Sequence, residues 1–204
     1  MSLRPRAIVE SLGEYHPPAE GRLNKLRLDF CEWPGAIPPM VHDALTQVTP
    51  VQLSAYPEYE QFHEQLARFL GLPSKSHVLS FNGSDEAIST VARTYLEPGD
   101  VAVVVRPTFS MSPLFLEQLG VRLVHGPLQR ALAQGGPVYA FDIERMYDAL
   151  QAGAKALIVP SPNNPTGTWT EPTTWIELAR AFPDRLVLID EAYAEFAPVR
   201  LHAY

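Results

Sequence analysis

A single cysteine, Cys31, stands in the 204 residues of the chain, so no disulfide can close within it and no thiolate metal cluster can assemble. Cys31 reads as a small half-buried filler. No stretch approaches the roughly 18 apolar residues of a membrane-crossing helix. The opening stretch, Met1 to Gly13, lacks the apolar core of a secretory signal, and a cytoplasmic protein is expected. Positive charge is also scarce: 16 Lys and Arg stand against 23 Asp and Glu, a net charge of -7, with no basic block. Neither a nucleic acid nor a membrane is therefore expected as a partner. Nucleotide-binding signatures are missing, since neither a Walker-type lysine loop nor G-x-G-x-x-G occurs. His63-Glu64 lacks the second histidine of H-E-x-x-H, and there is no G-x-S-x-G, so metal and serine hydrolases find no support and no metal site is expected. His16, His42, His77, His125 and His202 are scattered and read as surface or packing residues. No internal repeat is present.

Proline, by contrast, is abundant at 20 residues, and it falls between periodic segments instead of forming a low-complexity tract. With 46% apolar and 19% charged residues the chain has an ordinary globular composition, long enough for one domain with a substantial core. Residues 1–24 show little periodicity and read as an irregular lead-in. Leu28 to Gly35 is a short extended piece entering a Pro-rich turn, and Pro38 to Val48 has helical spacing with proline at its start. Glu60 to Leu70 carries Phe62, Leu66, Phe69 and Leu70 on one stripe, with Gly71 as its stop.

A regular alternation comes next. Strands are expected at Val78–Phe81, Val101–Val105, Val121–Val124, Ala156–Val159 and Leu186–Ile189. Helices are expected at Asp85–Leu96, Met111–Leu119, Ile143–Gln151 and Pro172–Phe182. Strands apolar on both faces that alternate with helices indicate an α/β fold, a mostly parallel sheet flanked by helices. In such sheets the ligand lies beyond the carboxyl ends of the strands. The informative residues are then Asn82-Gly83-Ser84, Arg106-Pro107-Thr108-Phe109, Ser161 to Gly167, and Asp190 to Tyr193.

Gly83 turns the chain into a helix whose first N–H groups and positive dipole end favour an anion such as phosphate. The same residues also suit plain capping, with Ser84 as N-cap and Asp85 and Glu86 complementing the dipole. In Pro162-Asn163-Asn164-Pro165-Thr166-Gly167, two prolines hold a pair of amides extended and Gly167 turns the chain, which makes a stiff platform for an amide or an ordinary turn. Asp190 follows four apolar residues. Its carboxylate either caps a short helix begun at Glu191 or meets a cation in a poorly solvated pocket, where a protonated heterocycle would serve. An aromatic plate at Phe109, a carboxylate for a ring nitrogen, two donors for a phenolate-like oxygen at Asn164 and Tyr193, and a phosphate turn together describe pyridoxal 5'-phosphate.

The motifs Tyr56-Pro57, Asn82-Gly83-Ser84-Asp85-Glu86-Ala87-Ile88, Pro107-Thr108-Phe109-Ser110-Met111, Pro162 to Gly167 and Asp190-Glu191-Ala192-Tyr193-Ala194-Glu195-Phe196 occur in one order from about Leu28 to the end. On these the chain resembles the N-terminal half or more of a fold-type I pyridoxal-phosphate aminotransferase, closest to the histidinol-phosphate aminotransferase group. The resemblance implies that Gly83, Ser84 and Asp85 lie at the cofactor phosphate, that Phe109 stacks on the ring, and that Asn164 and Tyr193 donate to the ring oxygen. Asp190 would keep the ring nitrogen protonated, which with Tyr193 makes up the catalytic set. Tyr56 would reach the phosphate of the partner subunit's cofactor, in a homodimer with shared active sites. The substrates implied are a small amino acid or amino-phosphate donor and a 2-oxo acid, as in amino-acid biosynthesis.

Two departures qualify what is implied. Cys31-Glu32-Trp33-Pro34-Gly35 stands where the family usually has Asn-Glu-Asn-Pro followed by Gly. Both amides are gone from a segment that borders the substrate, so a different amino donor stays open. The family's Schiff-base lysine and the arginines after it come later than Asp-Glu-Ala-Tyr, and Lys25, Lys75 and Lys155 are not credible substitutes. The expectation is thus a truncated aminotransferase that does not turn over by itself: a lead-in over 1–40 and a partial cofactor-binding large domain over 41–204, without the C-terminal small domain. A threonine-phosphate decarboxylase-like enzyme and a non-catalytic cofactor-binding or interaction remnant are the alternatives.

Overall fold

The computed structural model describes residues 3–12, 20–28, 30, 32–33, 35–133 and 136–201; Cys31, Pro34, His16 and His202 lie outside the described residues. The chain forms two compact units, one of Gly13–Phe62 and one of Met1–Leu12 with His63–Tyr204. In the larger unit β1 (Val101–Arg106), β2 (Arg122–Pro127), β5 (Ala156–Pro160) and β6 (Leu186–Asp190) form a four-stranded sheet in the order β2-β1-β5-β6, every pair parallel. That is the expected architecture, and its cause is visible in β1 and β5. Val103, Val105, Leu157 and Val159 pack on one face against Met146 and Leu150 of α7 (Ile143–Gln151) and Trp175 and Leu178 of α8 (Pro172–Ala181). Ala102, Val104, Ala156 and Ile158 pack on the other against Ala92 of α5 (Gly83–Tyr95) and Leu116 of α6 (Met111–Gln118). A strand buried on both faces has no polar positions to alternate with, which is why the sequence shows none. At the amino ends of the central strands, Lys155 Nζ meets Asp100 Oδ2 at 2.9 Å.

Several elements differ from the sequence expectation. Val78–Phe81 forms no strand: Lys75–His77 is a single 3-10 turn, Val78 is buried, and Leu79 is 77% exposed. Apolar, β-branched composition reports burial, whereas a strand also needs a neighbour to complete its ladder, and Val78–Phe81 finds none among the described residues. Conversely, β3 (Gln129–Ala133) and β4 (Gly136–Ala140) pair as an antiparallel hairpin that the sequence did not announce. The short helix α1 (Ala7–Glu10) is a further addition within the lead-in.

The smaller unit contains α2 (Pro39–Thr46) and α3 (Pro50–Ser54), each with proline in its first turn, and neither helix buries a residue. Thr49 heads α3 with a capping box: it accepts from the Gln52 N–H, and the Gln52 side chain accepts from the Thr49 N–H at 2.8 Å. Earlier in this unit Glu32 pairs with both Arg22 and Arg27, and the Arg22 guanidinium lies 4.2 Å from the centre of the Phe30 ring. The helix α4 (Glu60–Phe69) straddles the division of the chain, and its expected apolar stripe is only partly covered, with Leu66 and Leu70 half-buried. Ala67 is its buried residue, whereas Phe62 and Phe69 are exposed.

Leu157→Ala should cost about 2–5 kcal/mol in urea unfolding, because Leu157 is fully buried in the central strand and its removal leaves a cavity. Leu79→Ala should stay within about 0.5 kcal/mol. Equal losses for the two would contradict the exposed placement of Val78–Phe81.

Candidate active site

The carboxyl ends of β1, β5 and β6 converge with the first turn of α5. There Gly83 takes φ +81°, a backbone conformation that side chains with a Cβ rarely adopt, and the space above it is open. Asn82, at the N-cap position, makes no side-chain cap to the first turn. Instead its N–H and its amide both donate to Glu86 Oε2, at 2.6 and 3.0 Å, so Glu86 is turned back on the chain before the helix. This corrects the expectation for Ser84: it is not the N-cap but lies within the first helical turn, beside Gly83 and Asp85.

Asp190 is the last residue of β6 and 9% exposed. Its Oδ1 accepts the Ala192 N–H at 3.0 Å, so it does cap the following turn, while the 3-10 helix Ala194–Phe196 starts after Tyr193. No basic side chain pairs with it among the described residues. Burial raises its pKa, the Ala192 hydrogen bond partly offsets that, and the like charge of Asp85 raises it further. Asp85 is itself raised by burial. The Asp190 carboxyl therefore occupies a poorly solvated place without the cation that would hold it ionised.

The Asn164 amide donates to the Tyr193 hydroxyl at 3.2 Å, which joins the loop after β5 to the turn after β6. Phe109 is half-buried just ahead of α6. The structure thus brings Gly83, Ser84, Asp85, Phe109, Asn164, Asp190 and Tyr193 to one end of the sheet. Tyr56 belongs to the smaller unit, where its side chain is 99% exposed. Lys155 stands at the opposite end of the sheet, as its place before a strand implied.

Asn163 was not among the site residues expected from sequence, yet it is the buried amide of this region, 2% exposed. Its Nδ2 donates to the Pro107 carbonyl at 3.0 Å and to Thr166 Oγ1 at 2.8 Å, and its Oδ1 accepts from Thr108 Oγ1 at 2.8 Å. The signal available was the doubled amide itself, of which sequence reasoning used only the second.

This end of the sheet, with a buried carboxyl lacking a cation among the described residues, a helix start without a side-chain cap and an amide–phenol pair, suits a planar cationic ring that carries an anionic group. Known proteins point the same way. The chain is 36% identical over 156 residues to histidinol-phosphate aminotransferase of Symbiobacterium thermophilum, covering 75% of this chain and 41% of that protein. It is 34% identical over 198 residues to histidinol-phosphate aminotransferase 1 of Ralstonia nicotianae, covering 93% of this chain and 50% of that protein. Among solved structures, histidinol-phosphate aminotransferase from Sinorhizobium meliloti, in complex with pyridoxal-5'-phosphate, superposes with a TM-score of 0.66 at 27% identity, covering 79% of this chain and 42% of that one. The chain thus spans about half the length of the relatives it matches or less. The family model for aminotransferase class I and II matches residues 24–204, and the chain belongs to that family.

Proposed function

We propose that this chain supplies the cofactor-binding part of a pyridoxal-phosphate-dependent aminotransferase of the histidinol-phosphate aminotransferase kind, which moves an amino group between a small amino donor and a 2-oxo acid. The observation that carries the reading is Asp190, a buried carboxyl with a raised pKa and, among the described residues, no cation of the protein beside it. When bound, pyridoxal phosphate supplies an electron sink for the α-carbon of an amino acid that has lost its proton. The chain's own part is to hold and orient. Asp190 keeps a proton on the ring nitrogen, and a pyridinium there reverses the unfavourable burial of its carboxylate. Asn164 and Tyr193 hydrogen-bond the ring oxygen, and Phe109 covers one face of the ring. The N–H groups of the Gly83-Ser84-Asp85 turn bind the phosphate, since Glu86 is occupied by Asn82 and does not compete for them.

We further propose a homodimer with shared sites, in which Tyr56 serves the partner subunit's cofactor. The apolar, exposed side chains of Met40, Leu45, Val51 and Leu53 on α2 and α3 support this, because helices that bury nothing of their own need a covering surface. Sedimentation at micromolar concentration should then give a dimer for the wild type and a shift to monomer for Leu45→Asp with Leu53→Asp; a wild type that stays monomeric would remove the shared-site reading.

Titration with pyridoxal phosphate, followed by absorbance, tests the cofactor reading. Asp190→Ala should weaken binding by more than a hundredfold, because a buried charge that loses its partner costs about 3–5 kcal/mol. Phe109→Leu removes a stack worth about 0.5–1.5 kcal/mol and should weaken binding about tenfold at most. Equal, small effects would sink the assignment of Asp190 to the ring nitrogen.

Without cofactor the same carboxyl has the opposite effect. Its pKa is raised in the folded chain, so its contribution to stability is full below the ordinary aspartate value of about 3.9 and is lost as pH rises through the raised value. Asp190→Asn, which keeps an acceptor for the Ala192 N–H, should therefore stabilise the cofactor-free chain at pH 7–8 by on the order of 1 kcal/mol. The gain should shrink toward acid pH. Thermal unfolding across pH checks this, and a variant less stable than wild type at neutral pH would contradict it.

A further inference from the structure

Strand β1 pairs with β5 at Ala102↔Ala156, Val103↔Leu157 and Val104↔Ile158, and the ladder between them ends there. Further on, the segment after β1 passes through Pro107 and the segment after β5 through Pro162, residues without an N–H to offer the other. Among the described residues no backbone hydrogen bond joins the loop that bears Phe109 to the loop that bears Asn164. The side chain of Asn163 takes over. Its amide reaches across to the Pro107 carbonyl at 3.0 Å and receives the Thr108 hydroxyl at 2.8 Å, and its second N–H turns back to Thr166 Oγ1 at 2.8 Å. The orientation of the amide is determined, because a proline carbonyl only accepts and so must face the NH2 group.

Asn163 is in turn held on its own loop. Its N–H donates to the Thr168 carbonyl at 2.8 Å, its carbonyl accepts the Gly167 N–H at 2.7 Å, and the Thr166 and Thr168 hydroxyls lie 2.7 Å apart. Thr108 immediately precedes Phe109 and Asn163 immediately precedes Asn164. The path from Phe109 through Thr108, Asn163 and Asn164 to Tyr193 is therefore two peptide links and two side-chain hydrogen bonds long.

We infer that Asn163 is a positioning residue for the ring: by cross-linking the loops after β1 and β5 where their ladder has ended, it sets the separation and tilt between the Phe109 plate and the Asn164–Tyr193 edge. This rests on the pyridoxal-phosphate reading of the site. Asn163 acts through its neighbours and does not itself touch the ring.

The test measures pyridoxal-phosphate affinity by absorbance and, separately, the visible circular dichroism per bound cofactor, which reports how the ring is held. Asn163→Asp keeps shape and acceptor but loses both donors and faces the Pro107 carbonyl with a carboxylate. Thr108→Val removes one bond of the cross-link, and Thr108→Ser retains it. The expected result is a dichroism amplitude per bound cofactor at least halved in Asn163→Asp and reduced in Thr108→Val, near wild-type in Thr108→Ser, with affinity lowered about tenfold or less. Should the Asn163 variant fail to fold, the Thr108 pair decides alone. Wild-type amplitude in the variants, with the wild type binding normally, overturns the positioning role and leaves the cofactor reading intact. A wild type that shows no saturable binding removes the cofactor reading and this inference together.

Discussion

The Asn163 amide forms two hydrogen bonds to the loop after β1 and a third within its own loop, beyond the point at which the β1–β5 ladder ends. Parallel strands in this sheet are held by their ladders and by apolar side chains on both faces, but the β1–β5 ladder ends at Val104↔Ile158, before the loops that carry the polar residues. A site at the carboxyl ends of the strands therefore depends on the loops beyond them. The loop after β5 fills that position: it reaches β1's loop through Asn163, the turn after β6 through Asn164, and β6 itself through the Ser161 N–H on the Asp190 carbonyl at 2.9 Å. Each of these buried donors meets an acceptor, which is the condition under which a polar network stiffens a structure instead of weakening it.

Two aspartates show how the ends of one sheet differ. Asp100, at the amino ends, accepts the Glu97 N–H at 2.7 Å and pairs with Lys155, and these hold its carboxyl below its ordinary range. It is a solvated clamp, and the pair contributes little by itself. Asp190, at the carboxyl ends, has one hydrogen bond, a carboxylate neighbour in Asp85 and little solvent, and is pushed upward. The same side chain is thus a structural tie at one end and an unbalanced, ligand-ready group at the other. Under the proposed function, a protonated ring would be the counterpart to that imbalance.

The smaller unit is organised differently. Its helices are started by prolines and by the Thr49 capping box, devices that local sequence supplies, but α2 and α3 bury nothing. Among the described residues, no helix is long and apolar enough to cross a membrane.

The order of residues was enough to determine the α/β class, the parallel strands and the end of the sheet at which the polar residues gather. Unbroken apolar runs and the residues directly after each carry that information, and both are local properties of the chain. The placement of Gly83, Asn164, Asp190 and Tyr193 at that end was legible for that reason, each standing within a few residues of a strand end or a helix start. Tertiary contacts decided the rest. Val78–Phe81 has strand composition but no paired neighbour, and the hairpin β3–β4 forms without a strong local signal. The stripe on α4 is covered only at Leu66 and Leu70, with Phe62 and Phe69 exposed, and Ser84 yields the cap position to Asn82. Asn163 could be read as one of two similar amides, but its distinction lies in distances to Pro107 and Thr108, residues far away in the chain. Which of two adjacent amides is buried, and against what, is set by where another loop passes, and no local pattern contains that.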